Sequence, residues 1–425
     1  MDRAVLQVGG LSLALSPSKW NVVCHFLDGV FFSAALISFS AEMVIPTMIA
    51  ELSDSALMLG LVPLITQICW VLPQTFYAKK IEGLAYKKPA VLLCAFLGRA
   101  GWMVFLVSLY VHWGAAFTLP VFFVVMVSNG LGSGLVMPVW ADWYAKTVPE
   151  NMWARLLGMR AAAPAVLGVG LGKLIQWIMD VRPAPQRYQI LLILTIVFYV
   201  LSFLSVMLVK EERHEGLPTQ DGKTWAGYFR GLGLILARQR DFRMFLIAAV
   251  LLTVPTAVMA TFLTKYGLTS SGAGSGVAGT FTMFYFAAMA IGSLAGGLIS
   301  DRKGVLVPFR VFPLFVAGGC VLSALSPNWT VVSAAWALLG FAWGMRVVAF
   351  LPAVFSFAEP HRRPSYSSVL FTALGGTAAV LPPLVGMVKD ADVLDFPHIF
   401  LLCGATALGG WVLLLRIPSP EAASS

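Results

Sequence analysis

The sequence predicts an all-α membrane protein whose chain crosses the bilayer about twelve times, in two similar halves of six helices each. Composition is the first observation: 59% of the 425 residues are hydrophobic, only 12% are charged, and the mean hydropathy is +0.83. A soluble protein covers its surface with polar and charged groups, so this composition excludes an ordinary soluble fold. The other two observations are the spacing of apolar runs and a likeness between loops half a chain apart.

Apolar runs of about twenty residues, long enough to cross the hydrocarbon core as helices, recur along the chain, whereas the alternation of a membrane β-barrel does not. We expect spans in the first half, residues 1–209, at 20–49, 56–78, 89–111, 117–144, 157–179 and 188–209. In the second half, residues 244–425, we expect spans at 244–266, 274–299, 306–325, 330–358, 366–388 and 397–415. The polar segment 210–243 is predicted to be a cytoplasmic linker that contains an amphipathic surface helix over 225–240.

The net charge of +9 arises from short basic clusters that lie between the apolar runs. Lys and Arg near span ends stay on the cytoplasmic side, which predicts that both termini and the linker are cytoplasmic in a bacterial inner (plasma) membrane. No basic stripe with interleaved aromatic residues is present, so nucleic acid is not expected as a partner. The five cysteines are isolated and lack ligand spacing, so neither a metal nor another cofactor is expected.

Two pairs of loops resemble each other across the halves. Ala78-Lys-Lys-Ile-Glu-Gly83 corresponds to Ile299-Ser-Asp-Arg-Lys-Gly304 at an offset of 304 − 83 = 221 residues. Val148-Pro149 before one basic cluster corresponds to Glu359-Pro360 before another, at an offset of 360 − 149 = 211 residues. Both offsets are close to half the chain, as two parallel six-helix repeats require.

The loop Gly297-Leu-Ile-Ser-Asp301-Arg302-Lys-Gly304 resembles the signature G-x-x-x-D-R-x-G of the major facilitator superfamily. In the first half, Lys80 stands where the signature has Asp. The resemblance implies two bundles around a central cavity lined by spans 1, 4, 7 and 10, with transport by alternating access.

Gating residues are predicted at cytoplasmic helix ends. Asp301 next to Arg302, flanked by Gly297 and Gly304, can pair with a basic group or a helix N-terminus and hold one side closed. The alternative is a fixed surface salt bridge. Asp142 could pair with Arg155 or Arg160 as a second inner latch, or it could belong to an interfacial belt between Trp140 and Trp143.

Charge inside the membrane is the sharpest indication of a site, because each ionisable side chain at mid-bilayer costs about 2.5 to 3.5 kcal/mol. His25 and Asp28 lie within one turn of the first span, and Glu42 follows fourteen residues later, close to four helical turns. Asp28 and Glu42 are therefore expected on one helix face.

Arg346 lies inside the tenth span. Since the resemblance places spans 1 and 10 at the cavity, we predict that Asp28 and Arg346 form the main solute-contacting or coupling pair. The alternative is that each satisfies a local contact. Asn129, Gln74 and Tyr285 are further candidates for the pocket lining.

We predict a secondary carrier of a small solute that works as a monomer, and no phosphate-binding loop for ATP is present. Coupling to protons or another ion is expected, because a carboxylate such as Asp28 in an apolar surround can take up a proton. Two alternatives remain: a sensor or assembly partner that keeps a carrier fold without moving solute, and a membrane-embedded enzyme that uses His25 and Asp28.

Overall fold

The computed structural model describes residues 4–8, 11–15, 17–82, 84–149, 152–212, 239–272, 274–357 and 363–417. The chain begins with a short antiparallel hairpin that the sequence did not predict, formed by β1 (Ala4–Val8) and β2 (Leu11–Leu15), with Ala4 opposite Leu15. Everything after the hairpin is helical or connecting loop within the described ranges. Most of the predicted linker, including its amphipathic helix, lies outside the described residues.

The helices of the first half follow the predicted spans within a few residues, apart from the first span. They are α1 (Pro17–Ser38), α2 (Val44–Leu52), α3 (Ala56–Glu82), α4 (Lys88–Val111), α5 (Ala115–Thr147), α6 (Trp153–Val181) and α7 (Gln186–Leu208). Pro89 stands at the start of α4, where its missing N–H costs no helical hydrogen bond.

The helices of the second half also match the predicted spans. They are α8 (Arg240–Ser271), α9 (Val277–Lys303), α10 (Leu306–Leu325), α11 (Trp329–Phe355), α12 (Arg363–Asp390) and α13 (Phe396–Leu415). Asn328 caps α11, since its side-chain oxygen accepts from the Thr330 backbone N–H at 3.0 Å. Among the described residues, eleven helices are long and apolar enough to cross a membrane, and α3 contributes the shorter apolar stretch Ala56–Val71. The prediction of about twelve membrane-spanning helices is confirmed.

The first span is not one helix, and this corrects the sequence prediction. Residues 39–43 leave the helical path between α1 and α2. Ser40 organises the break: its carbonyl accepts from the Ile45 N–H at 2.9 Å, and its hydroxyl accepts from the Val44 N–H at 3.3 Å. Glu42 lies in the break. The expectation that Asp28 and Glu42 share one helix face assumed a continuous helix, and that assumption does not hold.

The described chain divides into two compact units. Unit 1 comprises Met1–Phe39, Ile68–Leu167 and Arg182–Gln220, and unit 2 comprises Ser40–Gln67, Gly168–Val181 and Asp221–Ser425. In unit 1, α1 packs on α7, and α4 packs on both α5 and α7. In unit 2, α9 packs along α11, α10 on α11 and α13, and α8 on α12 and α13. The division of the sequence at residues 209 and 244 stays a prediction.

Glycine allows close helix contact in unit 2 between α9 and α11. A side chain at Gly340 would place its Cβ 2.1 Å from the Tyr285 carbonyl oxygen, and one at Gly344 would place it 2.2 Å from that of Met289. No larger residue fits without moving the helices apart, which is the small-residue packing expected between membrane helices. This contact fixes Tyr285 on α9 beside the segment of α11 that carries Arg346.

Candidate functional site

Two regions of intramembrane charge, one in each unit, contain predicted site residues. The first, here called the Asp28 site, consists of Asp28, Arg160, Ser202 and His25 in unit 1. Asp28 on α1 is 4% exposed. One of its carboxylate oxygens accepts from Arg160 of α6 at 3.0 Å, and the other accepts from the Ser202 hydroxyl of α7 at 2.6 Å. Both oxygens of the buried acid are therefore bonded, and its charge is paired.

Arg160 reaches Asp28 because Gly29 leaves room along α1. A Cβ at Gly29 would lie 2.6 Å from Cγ of Arg160, so the arginine stem occupies the place of the missing side chain. The guanidinium also donates to the His25 carbonyl, and its carbon lies 5.0 Å from the ring centre of Trp140. This cation–π contact and the two hydrogen bonds hold the guanidinium in place.

His25 is fully buried beside this ion pair. Its Nε2 lies 2.9 Å from the Thr147 hydroxyl, and its ring contacts those of Trp143 and Tyr144 at centroid distances of 4.7 and 5.2 Å. Its Nδ1 has no hydrogen-bond partner. One hydrogen bond, two ring contacts and one open ring nitrogen describe a packed histidine, and the part of the chain that is described supplies no metal-ligating cluster around it.

The second region is a cavity of about 100 Å³ in unit 2, here called the Arg346 cavity. It is formed by the break before α2 together with α8, α9, α10 and α11. Its lining is mostly apolar and aromatic, with a single cation and a single carboxylate; the residues are Glu42, Thr256, Ala260, Tyr285, Phe312, Val316, Trp336, Leu339, Ala342, Trp343 and Arg346.

Arg346 contacts aromatic rings and no acid. Its guanidinium carbon lies 5.0 Å from the ring centre of Trp343 and 5.2 Å from that of Phe350. Within the described residues, it takes part in no ion pair and no hydrogen bond. The rings orient the cation, while its five N–H donors remain available to another group.

Glu42 is held by its backbone, and its carboxylate forms no ion pair with a described residue. The Thr264 hydroxyl of α8 donates to the Glu42 carbonyl oxygen at 2.7 Å, which fixes the break against α8. The side chain is accessible, as a cavity-lining group must be, and forms no ion pair within the described ranges. Irregular backbone that lines a cavity is the form in which a broken helix is tolerated at membrane depth.

Two aromatic residues add hydrogen-bonding groups to the cavity. Tyr285 stands edge-on to Trp336 at 5.7 Å and lies within electrostatic range of both Glu42 and Arg346. Trp336 is 1% exposed, and its indole N–H has no hydrogen-bond partner. An unpartnered buried N–H costs about 1 to 3 kcal/mol unless a bound group accepts from it.

The structure thus brings three of the predicted site residues together, Glu42, Tyr285 and Arg346, and it places Asp28 and His25 in the other unit. The Asp28 with Arg346 pairing stays a prediction, and each of the two has its own surroundings. Asn129 accepts from the indole N–H of Trp102 at 3.2 Å, a packing contact between α5 and α4. The side chain of Gln74 lies outside the described residues.

The predicted gating residues are only partly placed. Asp301 and Arg302 are exposed at the end of α9, and Gly304 ends that helix with φ 87°, a value that favours glycine. Within the described ranges Asp301 has no ion pair, so its role as a latch stays a prediction, as does that of Gly297. Asp142 pairs with Lys87, and the Arg155 side chain is not among those described.

Sequence reasoning missed Glu211, which lies just beyond α7. Its carboxylate accepts from the backbone N–H groups of Lys87 and Lys88 at 2.9 Å each, and from Lys146 at 2.8 Å. It joins the start of α4 to the end of α5 in unit 1. An acid placed at a helix N-terminus is favourable, but nothing in the local sequence links residue 211 to residue 87.

A second missed acid, Asp390 at the end of α12, caps the start of α3 in unit 2. It accepts from the Ala56 N–H at 2.6 Å, the Leu57 N–H at 3.0 Å and the Ser55 hydroxyl at 2.5 Å. Three bonds to one carboxylate make this a well-formed N-terminal cap supplied from a distant helix. Beside it, Lys265 donates to the backbone carbonyls of Ser53 and Asp54.

The comparisons with known proteins agree with this architecture. The family model described as Major Facilitator Superfamily matches residues 27–383. A bacterial homolog of the human lysosomal transporter Spinster, inward-facing and unoccupied, is 14% identical with a TM-score of 0.65, and the match covers 96% of this chain and 97% of that one. No curated protein sequence matches significantly.

Two further solved structures share the fold. The nucleoside transporter NupG is 12% identical with a TM-score of 0.66, covering 95% of this chain and 99% of that one. A D-xylose-proton symporter is 14% identical with a TM-score of 0.68, covering 96% and 99%. At these identities the structural likeness shows the fold alone, and it confirms the predicted fold class. The family match over most of the chain identifies a multi-pass membrane transporter and not an enzyme: this protein belongs to the Major Facilitator Superfamily.

Proposed function

We propose that the protein is a secondary carrier that moves a small solute across the membrane by alternating access, with the Arg346 cavity as part of its solute site. Membership of a transporter family supports the class of activity. The observation that carries the site is the presence of two opposite charges, Glu42 and Arg346, that line one apolar cavity without pairing to any described residue.

Unpaired charges in a membrane interior need a compensating partner or water. A fixed internal pair would satisfy both groups permanently and leave nothing for a ligand. Here the two charges line one hollow together with Tyr285 and Trp336, and the indole N–H of Trp336 has no described hydrogen-bond partner. Apolar walls with a few convergent polar groups are the usual composition of a small-molecule site.

We further propose that an ion gradient drives transport and that Asp28 is the coupling carboxylate. Its bond to Arg160 gives a physical route: protonation of Asp28 would remove the negative charge that holds the guanidinium, and Arg160 would need a new partner. The proton dependence named for the D-xylose-proton symporter supports this choice of ion. We propose both termini on the cytoplasmic side of a bacterial inner membrane, from the placement of basic clusters, and a monomer as the working form.

Uptake into proteoliposomes tests the proposal. The purified full-length protein, with an imposed inward proton gradient, is offered labelled sugars, nucleosides, organic acids and amino acids in parallel. We expect saturable uptake of at least one member, reduced at least about tenfold by Arg346→Gln or Glu42→Gln. Lys173→Gln, an exposed cation that bonds Gln176 at 3.0 Å, is the control and should transport normally.

Two results would contradict the proposal. Uptake of no member of the panel, by protein shown to be folded in the liposomes, would remove the carrier assignment. Uptake that is equally fast in Arg346→Gln, Glu42→Gln and Lys173→Gln would remove the Arg346 cavity from the solute site. Dissipation of the proton gradient separates driving force from binding, since it should lower accumulation in the unchanged protein and leave exchange of solute across the bilayer intact.

A further inference from the structure

Resting on the proposed carrier function, we infer that the solute is a zwitterion of about amino-acid size, with its anionic group at Arg346 and the Trp336 N–H and its ammonium group at Glu42. The unpaired carboxylate, the unpaired guanidinium and the orphaned indole N–H on one cavity carry this inference.

The net charge of the cavity lining restricts the net charge of the solute. One cation and one carboxylate give the lining no net charge. An anionic solute would meet attraction at Arg346 and repulsion at Glu42, and a cationic solute would meet the reverse. At low local dielectric such like-charge contacts are expensive, so the lining selects a solute with zero net charge.

The composition of the walls then separates a zwitterion from an uncharged polyol. A sugar needs a hydrogen-bond partner for each hydroxyl, usually amides and hydroxyls, and the lining supplies no Asn or Gln. Its one aliphatic hydroxyl, on Thr256, already donates to the backbone of its own helix at 3.0 Å. A zwitterion with an apolar body needs only two charged partners and fits walls made of aliphatic and aromatic side chains.

The donor and acceptor chemistry assigns the two ends. A carboxylate accepts hydrogen bonds only, and Arg346 and the Trp336 indole both donate only. A protonated amine donates only, and the Glu42 carboxylate accepts only. The Tyr285 hydroxyl can do either, and it lies within electrostatic range of both charges. A bound zwitterion would therefore satisfy every polar group that the described structure leaves open in this cavity.

Size limits the solute as well. The cavity volume of about 100 Å³ lies below the roughly 300 to 1,000 Å³ of pockets for drug-sized ligands. A solute whose two charges are a few atoms apart fits this space, whereas a disaccharide or a nucleotide does not.

Binding to the purified full-length protein in detergent tests the inference by titration calorimetry with matched probes. Alanine and valine carry both charges, their N-acetyl forms lack the ammonium group, their amides lack the carboxylate, and glucose lacks both. We expect saturable binding of at least one free amino acid, and binding at least about thirtyfold weaker for both of its blocked forms and for glucose.

Variants assign each charge to its residue. Glu42→Gln should weaken binding of the free amino acid at least about tenfold, and the N-acetyl form should be affected less than about threefold. Arg346→Gln should likewise weaken binding of the free amino acid at least about tenfold, and binding of the amide, which lacks the carboxylate, should be affected less than about threefold. Trp336→Phe keeps an aromatic ring without the N–H and should weaken carboxylate-bearing probes only. Glu51→Gln, an exposed carboxylate on α2 outside the cavity, is the matched control.

The outcomes separate this inference from the carrier function. Binding of glucose or of a blocked form as tight as that of the free amino acid, or binding of no amino acid at all, overturns the zwitterion. Uptake of a sugar or nucleoside in proteoliposomes would leave the carrier function standing while the zwitterion fails. Tight amino-acid binding without uptake of any solute would sustain the site chemistry and remove the carrier function.

Discussion

The Asp28 site and the Arg346 cavity solve the same physical problem in opposite ways. Each places an arginine and an acid inside the membrane, where charge is costly. In unit 1, Asp28 is bonded to Arg160 and Ser202, and no oxygen is left over. In unit 2, Arg346 lies between aromatic rings and Glu42 lies at a helix break, and neither is paired with a described residue.

This difference separates charge that is already paired within the protein from charge that has no internal partner and is open to a ligand. Removing one partner of a buried, bonded pair leaves the other charge unpaired in apolar surroundings, which lowers the free energy of unfolding. Removing a charge that has no internal partner removes a desolvated group from the folded state, so stability changes little and the affinity for the ligand falls. Stability and binding measurements on matched variants therefore test the comparison directly.

The largest effect is expected from Asp28→Ala, which leaves the Arg160 guanidinium buried without its acid. The free energy of unfolding should fall by about 3 to 5 kcal/mol. Glu42→Ala, the matched change in the other region, should alter it by less than about 1 kcal/mol. Reversible unfolding in mixed micelles with increasing denaturing detergent gives both values. Equal losses in the two variants would mean that Glu42 is bonded in the folded protein after all.

The sequence predicted the fold closely because its strongest determinant, the length of apolar runs, is local. α10 has the same first and last residues as its expected span, and α4 differs from its expected span only in beginning at Lys88 instead of residue 89. The break at residues 39–43 was not predicted, although Pro46 in the first turn of α2 is a local sign of it. Pro46 has no N–H to donate to the carbonyl four residues earlier, that of Glu42, which accepts from the Thr264 hydroxyl of α8 instead. The proline could have indicated the break, but its Thr264 partner lies on a distant helix.

The sequence pointed to the charged residues of the site but did not predict which residues they contact. The cost of intramembrane charge pointed to Asp28, Glu42 and Arg346 from their positions alone. Arg160 was considered only as a partner for Asp142, whereas the structure bonds it to Asp28 through space made by Gly29. Which acid meets which base depends on helix rotation and packing, and these are set by contacts between residues far apart in the sequence.

Glycine substitution sharpens the comparison at the level of packing. Gly344→Ala would drive a Cβ to 2.2 Å from a backbone oxygen of α9, so the helices themselves must separate, and a loss of about 1 to 3 kcal/mol of stability is expected. Gly29→Ala would place its Cβ 2.6 Å from Cγ of Arg160 and displace the arginine from Asp28, so a loss of about 1 to 3 kcal/mol is expected there as well. Gly409→Ala has no neighbour within 4 Å and serves as the control. A loss at Gly409 as large as that at Gly29 or Gly344 would contradict this expectation.

Asp390 tests whether the loss of stability on removing an acid depends on the hydrogen bonds of that acid and not on the unit to which it belongs. It belongs to unit 2 like Glu42, yet it is bonded like Asp28, to two backbone N–H groups and one hydroxyl. Asp390→Ala should lower the free energy of unfolding by about 0.5 to 2 kcal/mol, the range for losing an N-terminal cap. Asp392→Asn, which removes an exposed charge two residues away and keeps a residue type that tolerates the φ of 52° there, is the control for charge. No loss of stability in Asp390→Ala would break the rule drawn from the two regions.

Within the Asp28 site, a smaller effect than that of Asp28→Ala is expected from Ser202→Ala, which removes one of the two groups bonded to Asp28 and keeps the ion pair. The bond from the Ser202 hydroxyl to the buried carboxylate measures 2.6 Å, and a hydrogen bond to a charged group contributes about 1.5 to 3 kcal/mol before the remaining partner compensates. We therefore expect a loss of about 1 to 2 kcal/mol, below that of Asp28→Ala. Ser205→Ala on the same helix removes a hydroxyl that donates only to the Leu201 carbonyl, and it should cost less. If the two serine variants were equally stable, Asp28 would owe its place to Arg160 alone, and the Asp28 site would then differ from the Arg346 cavity by a single bond.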